Sequence, residues 1–297
     1  MVGLVAVDLD GTLLDGKGRV SQANRRAVER LRGAGWMVVP SSGRSWRESR
    51  RTLVDLGHDG LAITAGGSAL NDAMSGATLD RIVIESDLVH ELTESLLAEG
   101  LVAHLLHDHH VCAHDYVFVG TGPLDPATIW WLEQHAVPVK RVNTLPESAQ
   151  SGHQHILRVG AIDRADRLEP VCRAMRAHFG NRAVMQSWSA VTAEQAVGSV
   201  THLLEIYAPT TDKWTMVERV CDTHSIPRDC VVAIGDGLND LRMVREAALG
   251  IAMANADPSV LALADHVAPH HAEDGFATAV EQLLKGELVR STTKVPE

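Results

Sequence analysis

The chain has 297 residues, enough for one large domain or two ordinary ones. Hydrophobic residues make up 45% of it and charged residues 22%, which is typical of a globular protein with a sizeable core. The formal net charge of −11 argues against a nucleic-acid partner, because binding a polyanion normally needs a clustered basic face. No run approaches the roughly 20 apolar residues of a membrane-spanning helix, so we expect no membrane partner.

The start of the chain and its cysteines both favour a cytoplasmic location. The opening apolar run ends at Asp8 and has no cationic segment before it, unlike a secretory signal. The four cysteines form no C-x-x-C pair, and we expect them to be buried and reduced. They are Cys112, Cys172, Cys221 and Cys230. Whether the chain acts as a monomer or a homodimer stays open.

The first part of the chain alternates short apolar runs with helix-like segments. Residues 3–7 form a continuous apolar run, the pattern of a buried parallel strand. Ser21 can cap a helix that ends near Gly33 and Gly35. Further strands are predicted at residues 36–39 and 61–64, and a further helix at residues 46–56.

The middle of the chain, residues 82–208, follows a different pattern. A hairpin is predicted from residues 101–107 and 111–119, followed by helices at 126–135 and 164–179 and strands at 156–162, 183–188 and 202–207. Hairpins interleaved with helices favour an α+β domain inserted into the first. The domain that receives the insertion is then formed by residues 1–81 and 209–297.

The last part returns to alternating strands and helices. Helices are predicted at residues 213–224, 241–248 and 275–284, and strands at 231–234 and 250–253. Strands and helices that alternate at this spacing are typical of βαβ units. The predicted fold is therefore α/β: a doubly wound, Rossmann-like parallel sheet that carries an inserted α+β domain.

Two aspartates, Asp8 and Asp10, come directly after the first predicted strand. Ligands of open α/β sheets bind beyond the carboxyl ends of the strands, so both carboxylates are expected in that crevice. Gly11 lets the backbone turn so that its amides can approach an anion. Because crowded carboxylates need a cation, the pair indicates a hard divalent metal, most simply Mg²⁺.

Three further segments fall where the same crevice would need them. Ser41-Ser42-Gly43-Arg44 follows the second strand, and a hydroxyl there can bond a phosphate oxygen. Lys213 begins a helix, where a cation is unfavourable for stability unless it faces an anion. A strand-to-helix turn at residues 234–240 adds Asp236, Asn239 and Asp240.

In that order, the patterns D-x-D-G-T-L, S-G-R, K and G-D-G-x-N-D resemble the four motifs of the haloacid dehalogenase-like (HAD) phosphatase superfamily. The later segments 250–256 and 273–275 are similar to its Cof-type branch, subfamily IIB. That branch carries a large α/β cap between the second and third motifs. The resemblance therefore implies that residues 82–208 are such a cap and set substrate specificity, and that residues 1–81 and 209–297 are the catalytic core.

The resemblance also implies roles for individual residues. Asp8 would be the nucleophile and Asp10 the general acid and base. Asp8, Asp10 (through its backbone carbonyl), Asp236 and Asp240 would be the Mg²⁺ residues. The phosphate-binding residues would be Leu9, Ser42, Gly43, Lys213 and Asn239. Arg44 holds a family position that contacts substrate or cap, although an ordinary surface arginine is an equal alternative.

Two features depart from this pattern or lie outside it. The branch usually has Asn-Gly after the third strand, whereas this chain has Gly66-Gly67, which puts the hinge and the substrate edge in doubt. The predicted hairpin also gathers His104, His107, His109, His110 and His114 with Asp108 and Cys112. Zinc binding, substrate contact and a packed or solvated hairpin are three interpretations, and no second ligand cluster supports zinc.

The function predicted from these motifs is Mg²⁺-dependent hydrolysis of a small phosphorylated metabolite, either a sugar phosphate or a cofactor-type phosphate. The reaction would pass through an aspartyl-phosphate. A phosphomutase of the same superfamily is the alternative enzyme, separable by steady release of inorganic phosphate. A catalytically silent regulatory binding protein is the third alternative, although Asp8, Asp10, Lys213 and Asp236 are all present.

Overall fold

The computed structural model describes residues 2–145, 155–190 and 199–288. The chain divides into two compact units, residues 1–79 with 212–297 and residues 80–211. The predicted boundaries, 81/82 and 208/209, lie just inside the second unit. No helix of the described residues has both the length and the apolarity needed to cross a membrane.

The first unit, called the core unit below, is built around one sheet. Its strands are β1 (Gly3–Asp8), β2 (Trp36–Ser41), β3 (Leu61–Thr64), β4 (Ala69–Asp72), β5 (Thr78–Arg81), β12 (Val231–Gly235), β13 (Leu249–Met253) and β14 (His266–Ala268). Its helices are α1 (Gln22–Gly33), α2 (Trp46–Asp55), α6 (Lys213–His224), α7 (Leu241–Glu246), α8 (Pro258–Leu261) and α9 (Gly275–Leu284). The strand order is β14-β13-β12-β1-β2-β3-β4-β5, and β5 leads into the second unit.

The predicted doubly wound α/β fold is confirmed, with one difference at the edge of the sheet. Strands β1, β2, β3, β12, β13 and β14 are parallel, but β4 pairs antiparallel with β3. Sequence patterns did not predict β4 or β5, because both strands are four residues long and carry polar side chains such as Asn71, Asp72 and Thr78. The antiparallel edge lies away from β1 and β12.

One apolar cluster fixes the position of the central strands. Side chains of β1, β12 and β13 pack with those of α1 and α9, among them Val28, Leu31 and the fully buried Phe276. Removing a side chain as large as that of Phe276 from water contributes about 2 kcal/mol. Side chains alternate along a strand, so Asp8 projects to the face opposite Val5 and Val7, which belong to this cluster. The packing of α1 and α9 therefore holds Asp8 at a fixed end of a rigid strand.

The second unit, called the inserted unit below, contains a six-stranded sheet and three α-helices in the residues that the structure describes. Its strands are β6 (Ala103–His107), β7 (Tyr116–Val119), β8 (Val139–Val142), β9 (Ile156–Arg164), β10 (Val184–Ser189) and β11 (Thr201–Tyr207). Its helices are α3 (Ser86–Ala98), α4 (Pro126–His135) and α5 (Ala165–Phe179). The order is β10-β11-β9-β6-β7-β8, antiparallel except between β7 and β8. The expected hairpin is present, but its second strand begins at Tyr116 rather than at residue 111.

A buried polar group lies within this sheet. The Arg158 guanidinium donates to a carboxylate oxygen of Glu205 and, at 2.6 Å, to the Tyr116 hydroxyl. The Tyr207 hydroxyl donates to the other Glu205 oxygen at 2.9 Å. Burial and the nearby Glu205 charge raise the pKa of Tyr207, so this phenol stays a donor. One cation and one anion thus neutralise each other inside the inserted unit.

The four cysteines are free thiols, as the sequence predicts, but they are not all buried. Cys172 and Cys221 are buried, on α5 and α6, whereas Cys112 and Cys230 are only partly buried. Both of these lie in the loops or turns that precede a strand, where side chains are less completely covered. The expectation of four buried cysteines is therefore wrong for these two residues.

Candidate active site

The predicted site residues meet at the carboxyl ends of three adjacent strands. Asp8 ends β1, and it lies opposite Ser41, the last residue of β2. On the other side of β1, β12 ends at Gly235, directly before Asp236. Because β1 is flanked by its successor β2 and by the distant β12, this edge is the switch point at which open α/β sheets bind ligands.

Lys213 joins two of the four aspartates. Its Nζ donates to Asp8 Oδ1 at 2.5 Å and to Asp240 Oδ1 at 2.6 Å, and its side chain is fully buried. The start of α6 is otherwise capped by Asp212, whose side chain accepts from the Thr215 amide at 2.7 Å. The unfavourable position of a cation at a helix start is therefore offset by two carboxylates.

The turn after β1 approaches Asp236 very closely. Gly11 has φ +83°, and a Cβ at this residue would lie 2.2 Å from Asp236 Oδ2. The Thr12 hydroxyl donates to Asp236 Oδ1 at 2.7 Å. A side chain at Gly11 would therefore push the two strand-end turns apart and displace the carboxylate of Asp236.

Asn255 ties the same two turns together and was not among the predicted site residues. Its Nδ2 donates to the Gly11 carbonyl at 2.8 Å and to Asp236 Oδ2 at 3.2 Å. Its Oδ1 accepts from the His271 amide at 3.1 Å. The segment at residues 250–256 had indicated the family branch, and the asparagine within it was the signal that could have suggested a role in the site.

Asp240 closes the turn that carries Asp236. Its Oδ2 accepts from the backbone amides of Asp236 at 3.1 Å and Gly237 at 3.0 Å, and its other oxygen accepts from Lys213. Asp240 is fully buried. It therefore orients Lys213 and Asp236 at once.

Negative charge exceeds positive charge in this group. Burial, followed by the charge of Asp240, raises the pKa of Asp8 well above its usual range and that of Asp236 to about 7. Burial alone would lower the pKa of Lys213, but the carboxylates of Asp240 and Asp8 raise it, so the ammonium stays charged. The ligand atoms of Asp8, Asp236 and Asp240 all lie within 4.8 Å of one another. The arrangement can accept a cation.

The predicted phosphate-binding residues border the same edge. Ser42 is buried, and its amide donates to the Ile63 carbonyl at 2.9 Å, which fixes the turn after β2. A Cβ on Gly43 would lie 3.7 Å from the Asn239 side-chain nitrogen, so these two predicted residues are neighbours. Leu9 follows Asp8 directly, and its carbonyl accepts from the Leu14 amide at 2.9 Å. Ser42 follows Ser41, the residue paired with Asp8, so these turns lie at the same edge of the sheet as Asp8.

Arg44 contacts Asp10, which the sequence did not predict. Its Nε donates to Asp10 Oδ2 at 2.7 Å, and its Nη2 donates to the other carboxylate oxygen. The Arg44 side chain is only 12% exposed, so the alternative of an ordinary surface arginine is wrong. Burial alone would lower the pKa of Arg44, but the charges of Asp10, Glu48 and Asp8 raise it. Arg44 is a permanent cation beside Asp10.

The Gly66-Gly67 pair has a conformational explanation. Gly66 has φ +67°, a region that glycine and asparagine both adopt, so the exchange from the usual Asn-Gly leaves the backbone intact. Its amide donates to the Ser42 carbonyl at 3.0 Å. At Gly67 a Cβ would lie 2.1 Å from the Asp212 carbonyl oxygen. The pair therefore lets the chain before Lys213 pack closely on the β3 turn.

The histidine-rich hairpin does not form a comparable group. Across residues 2–145, 155–190 and 199–288, the group of three possible metal ligands is that of Asp8, Asp236 and Asp240. His104 packs edge-on against Phe118, and Cys112 Sγ lies 3.6 Å from His107 Nδ1. Asp108 is buried and forms an ion pair with Arg81 at 2.5 Å. These contacts favour the packed hairpin over the zinc interpretation.

Comparisons with known proteins agree with the motifs. The sequence model of the haloacid dehalogenase-like hydrolases matches residues 5–280. The phosphatase YwpJ of Bacillus subtilis is 26% identical over 95% of this chain and 99% of its own length. The 5-amino-6-(5-phospho-D-ribitylamino)uracil phosphatase YwtE of the same organism is 25% identical over 95% and 98%.

Solved structures share the fold. The HAD subclass IIB sugar phosphatase BT4131 superposes with a TM-score of 0.75 at 18% identity, over 95% of this chain and 98% of that one. The resemblance drawn from the four motifs is thereby confirmed. The chain belongs to the haloacid dehalogenase-like hydrolase family and is a HAD-type phosphatase.

Proposed function

We propose that this phosphatase hydrolyses a small phosphorylated metabolite with Mg²⁺ and forms an aspartyl-phosphate on Asp8. One observation carries the proposal: the Asp8 carboxylate, at the switch point of the sheet, is held by Lys213 at 2.5 Å among carboxylates that outnumber the cations. The contact with Lys213 restrains the buried Asp8 side chain, which supports its assignment as the nucleophile. Phosphoryl transfer depends mainly on such positioning and on charge stabilisation.

The donor set fits Mg²⁺. Carboxylate oxygens are the ligands that this hard cation prefers, and three carboxylates face a single ammonium. The raised pKa values of Asp8 and Asp236 have the same causes, burial first and the neighbouring carboxylate of Asp240 second. We assign Asp8, the backbone carbonyl of Asp10 and Asp236 as the residues that would hold the ion, with Asp240 supporting them. When bound, Mg²⁺ neutralises charge and polarises the phosphoryl oxygens.

The residues of the chain would divide the reaction as follows. An Asp8 oxygen forms a bond to phosphorus while the ester P–O bond breaks, and Asp10 gives its proton to the departing oxygen. Asp10 then takes a proton from water, which attacks the phosphorus, releases inorganic phosphate and restores Asp8. Lys213 and Asn239 hold the phosphoryl oxygens. The Ser42 hydroxyl and the backbone amides of Leu9 and Gly43 complete this set.

Two substrate classes follow from the relatives. BT4131 is described as a sugar phosphatase and YwtE as a phosphatase of 5-amino-6-(5-phospho-D-ribitylamino)uracil. We propose that this chain acts on a phosphorylated sugar or on a cofactor-type phosphate of that kind. A sugar phosphate and a ribityl phosphate both present a phosphate ester beside several hydroxyl groups, so one test panel covers both.

The test is phosphate release across such a panel in the presence of Mg²⁺. We expect steady release of inorganic phosphate from a subset of the compounds, without a bisphosphate activator. Acid quenching with labelled substrate should trap a phosphoprotein that hydroxylamine cleaves, as an acyl phosphate requires. Transfer of the phosphoryl group to a second sugar position, in place of release, would favour the phosphomutase. Absence of labelled protein during rapid turnover would contradict the covalent route.

We also propose that the inserted unit selects the substrate. The resemblance implies this role for residues 82–208, and the unit has its own sheet and buried core. Replacing residues 82–208 with a short Gly/Ser linker should leave slow hydrolysis of p-nitrophenyl phosphate and remove discrimination among the natural candidates. If the shortened chain keeps the substrate ranking of the full chain, selection belongs to the core unit instead.

A further inference from the structure

The Asp10 carboxylate is held at both oxygens by one residue. Arg44 Nε donates to Oδ2 at 2.7 Å and Arg44 Nη2 donates to Oδ1, which is the two-point geometry of a guanidinium on a carboxylate. The Asp10 side chain is 43% exposed and that of Arg44 is 12% exposed. The more buried partner therefore holds the more exposed one.

Arg44 is itself fixed at its backbone. Its amide donates to Ser42 Oγ at 3.2 Å, and its carbonyl accepts from the Ala65 amide at 2.7 Å. The next residue, Ser45, caps α2 in a reciprocal pair with the buried Glu48, at 2.6 Å from the Ser45 amide to Glu48 Oε2. The turn that carries Ser42 is thus rigid, and Arg44 extends from it to Asp10.

We propose that Arg44 is a positioning residue that orients Asp10 for proton transfer to the leaving group. This inference rests on the proposed function, in which Asp10 is the proton donor. Asp10 lies on the turn after β1 and has non-helical backbone angles, with φ −82° and ψ 117°. The Asp10 side chain is too exposed to be restrained by burial. A planar two-point contact with Arg44 instead sets both the direction and the plane of its carboxylate.

The contact leaves room for the proton. Each carboxylate oxygen has two lone pairs, and Arg44 uses one on each oxygen, so one site on each remains. The proton bound there passes to the departing oxygen as the P–O bond breaks, and it returns from water in the second step. Transfer requires the donor and acceptor atoms to be about 2.6–3.2 Å apart, so a rotated Asp10 would fail even if it were protonated.

The experiment compares leaving groups. Arg44→Gln, Arg44→Lys, Asp10→Asn and the double variant Arg44→Gln/Asp10→Asn are assayed for kcat/KM with an alkyl phosphate and with 2,4-dinitrophenyl phosphate. An alkoxide needs a proton to leave, and a dinitrophenolate does not. Because kcat/KM reports the steps up to release of the leaving group, it isolates the proton donation.

We expect Arg44→Gln to lower kcat/KM for the alkyl phosphate about 100-fold, within the usual contribution of a general acid. The kcat/KM for the dinitrophenyl ester should fall less than about threefold, because Asp10 need not protonate that leaving group. The inhibition constant of inorganic phosphate should also change less than about threefold, because its binding requires no proton donation. Arg44→Lys should restore little, since an ammonium binds at one point. In the Asp10→Asn background, Arg44→Gln should cause no further loss.

Arg51→Gln is the matched control, because Arg51 lies on α2, shortly after Arg44 in the chain, and its side chain is 89% exposed. It should change the rate with neither substrate. An equal loss for both leaving groups, together with weaker inhibition by inorganic phosphate, would overturn the proposal in favour of direct substrate contact by Arg44. No loss in either Arg44 variant would also overturn it.

Two further measurements keep the outcome decisive. If Arg44→Gln unfolds below the assay temperature, the leaving-group comparison in Arg44→Lys decides alone. Turnover by Asp8→Asn would contradict the proposed function itself. If Asp8→Asn is inactive but Arg44→Gln slows hydrolysis of both substrates equally, only the present inference is contradicted. The two failures are therefore distinguishable.

Discussion

Each unit contains a largely buried cluster of polar and charged side chains, and the two clusters differ in their balance of positive and negative charge. In the core unit, Asp8, Asp236 and Asp240 surround the single ammonium of Lys213; we call these four residues the core cluster. In the inserted unit, the inserted cluster consists of Arg158, Glu205, Tyr116 and Tyr207. The core cluster carries excess negative charge, whereas the inserted cluster is neutral.

The difference separates a binding site from a structural ion pair. A buried ion pair is tolerated when its charges and hydrogen bonds are matched, as they are between Arg158 and Glu205. Unmatched buried charge lowers stability, and it persists where a ligand supplies the missing charge. Burial, and after it the charge of Asp240, raises the pKa values of Asp8 and Asp236. A substitution that removes one of the unmatched charges from such a site is expected to abolish function and to raise the free energy of unfolding.

The strongest way to break the comparison is Asp8→Asn. We expect turnover to fall at least about 10⁴-fold, on the scale of other lost nucleophiles, and labelled phosphoprotein to disappear. Because the substitution removes one negative charge while Lys213 keeps its contact with Asp240, the free energy of unfolding should stay equal or rise. Assays of phosphate release and urea unfolding measure the two effects. A variant that is inactive because it is strongly destabilised would contradict the charge-excess interpretation.

Metal removal should give the next largest effect, and it should act on the core cluster and not on the inserted cluster. EDTA should remove activity, Mg²⁺ should restore it, and Ca²⁺ should inhibit, because Ca²⁺ prefers a looser coordination. At 100 times its dissociation constant, Mg²⁺ should stabilise the folded chain by about 2.7 kcal/mol, measured as a rise in Tm. Asp236→Asn should abolish this rise, while Glu205→Gln, a matched change in the inserted cluster, should keep it. Full activity in metal-free buffer would contradict the assignment of Asp236.

The inserted cluster should respond to substitution in the opposite way. Arg158→Met leaves the buried Glu205 without its cation, and we expect a loss of about 3–5 kcal/mol in the free energy of unfolding. The double variant Arg158→Met/Glu205→Leu should recover most of that loss, because no unmatched charge remains. Urea unfolding of the two variants tests this. A double variant as unstable as the single one would show that the pair contributes more than charge matching.

Much of the core site could be predicted from the sequence, because its residues follow strands in a recognisable order. The contact of Arg44 with Asp10 could not be predicted, since it depends on the geometry of two turns 34 positions apart. Asn255 also escaped prediction, because a single asparagine after a strand resembles a turn residue. The inserted cluster has no local pattern, and Arg158 and Glu205 meet only through the register of β9 and β11. Long-range side-chain contacts of this kind need the fold.

Two buried histidines, one in each unit, give the smallest expected effect. Burial lowers the pKa of His58 in the core unit to about 4 and that of His104 in the inserted unit to about 3, whereas an unfolded histidine binds a proton near pH 6.5. Between pH 6.5 and 4 the unfolded state therefore holds more protons, and the free energy of unfolding falls as the pH falls. Each histidine contributes a slope of about 1.4 kcal/mol per pH unit at most.

His58→Gln should flatten this slope, because only the unfolded state of the wild-type chain takes up that proton. His58 also accepts from Arg32 and donates from Nε2 to the Leu61 carbonyl, so absolute stability will change as well, and the slope is the quantity to compare. Urea unfolding at four pH values between about 4.5 and 7.5 spans the window in which the unfolded histidine titrates. His104→Gln provides the same comparison for the inserted unit. Equal slopes in the wild-type chain and both variants would mean that these histidines take up protons in the folded state as readily as in the unfolded state.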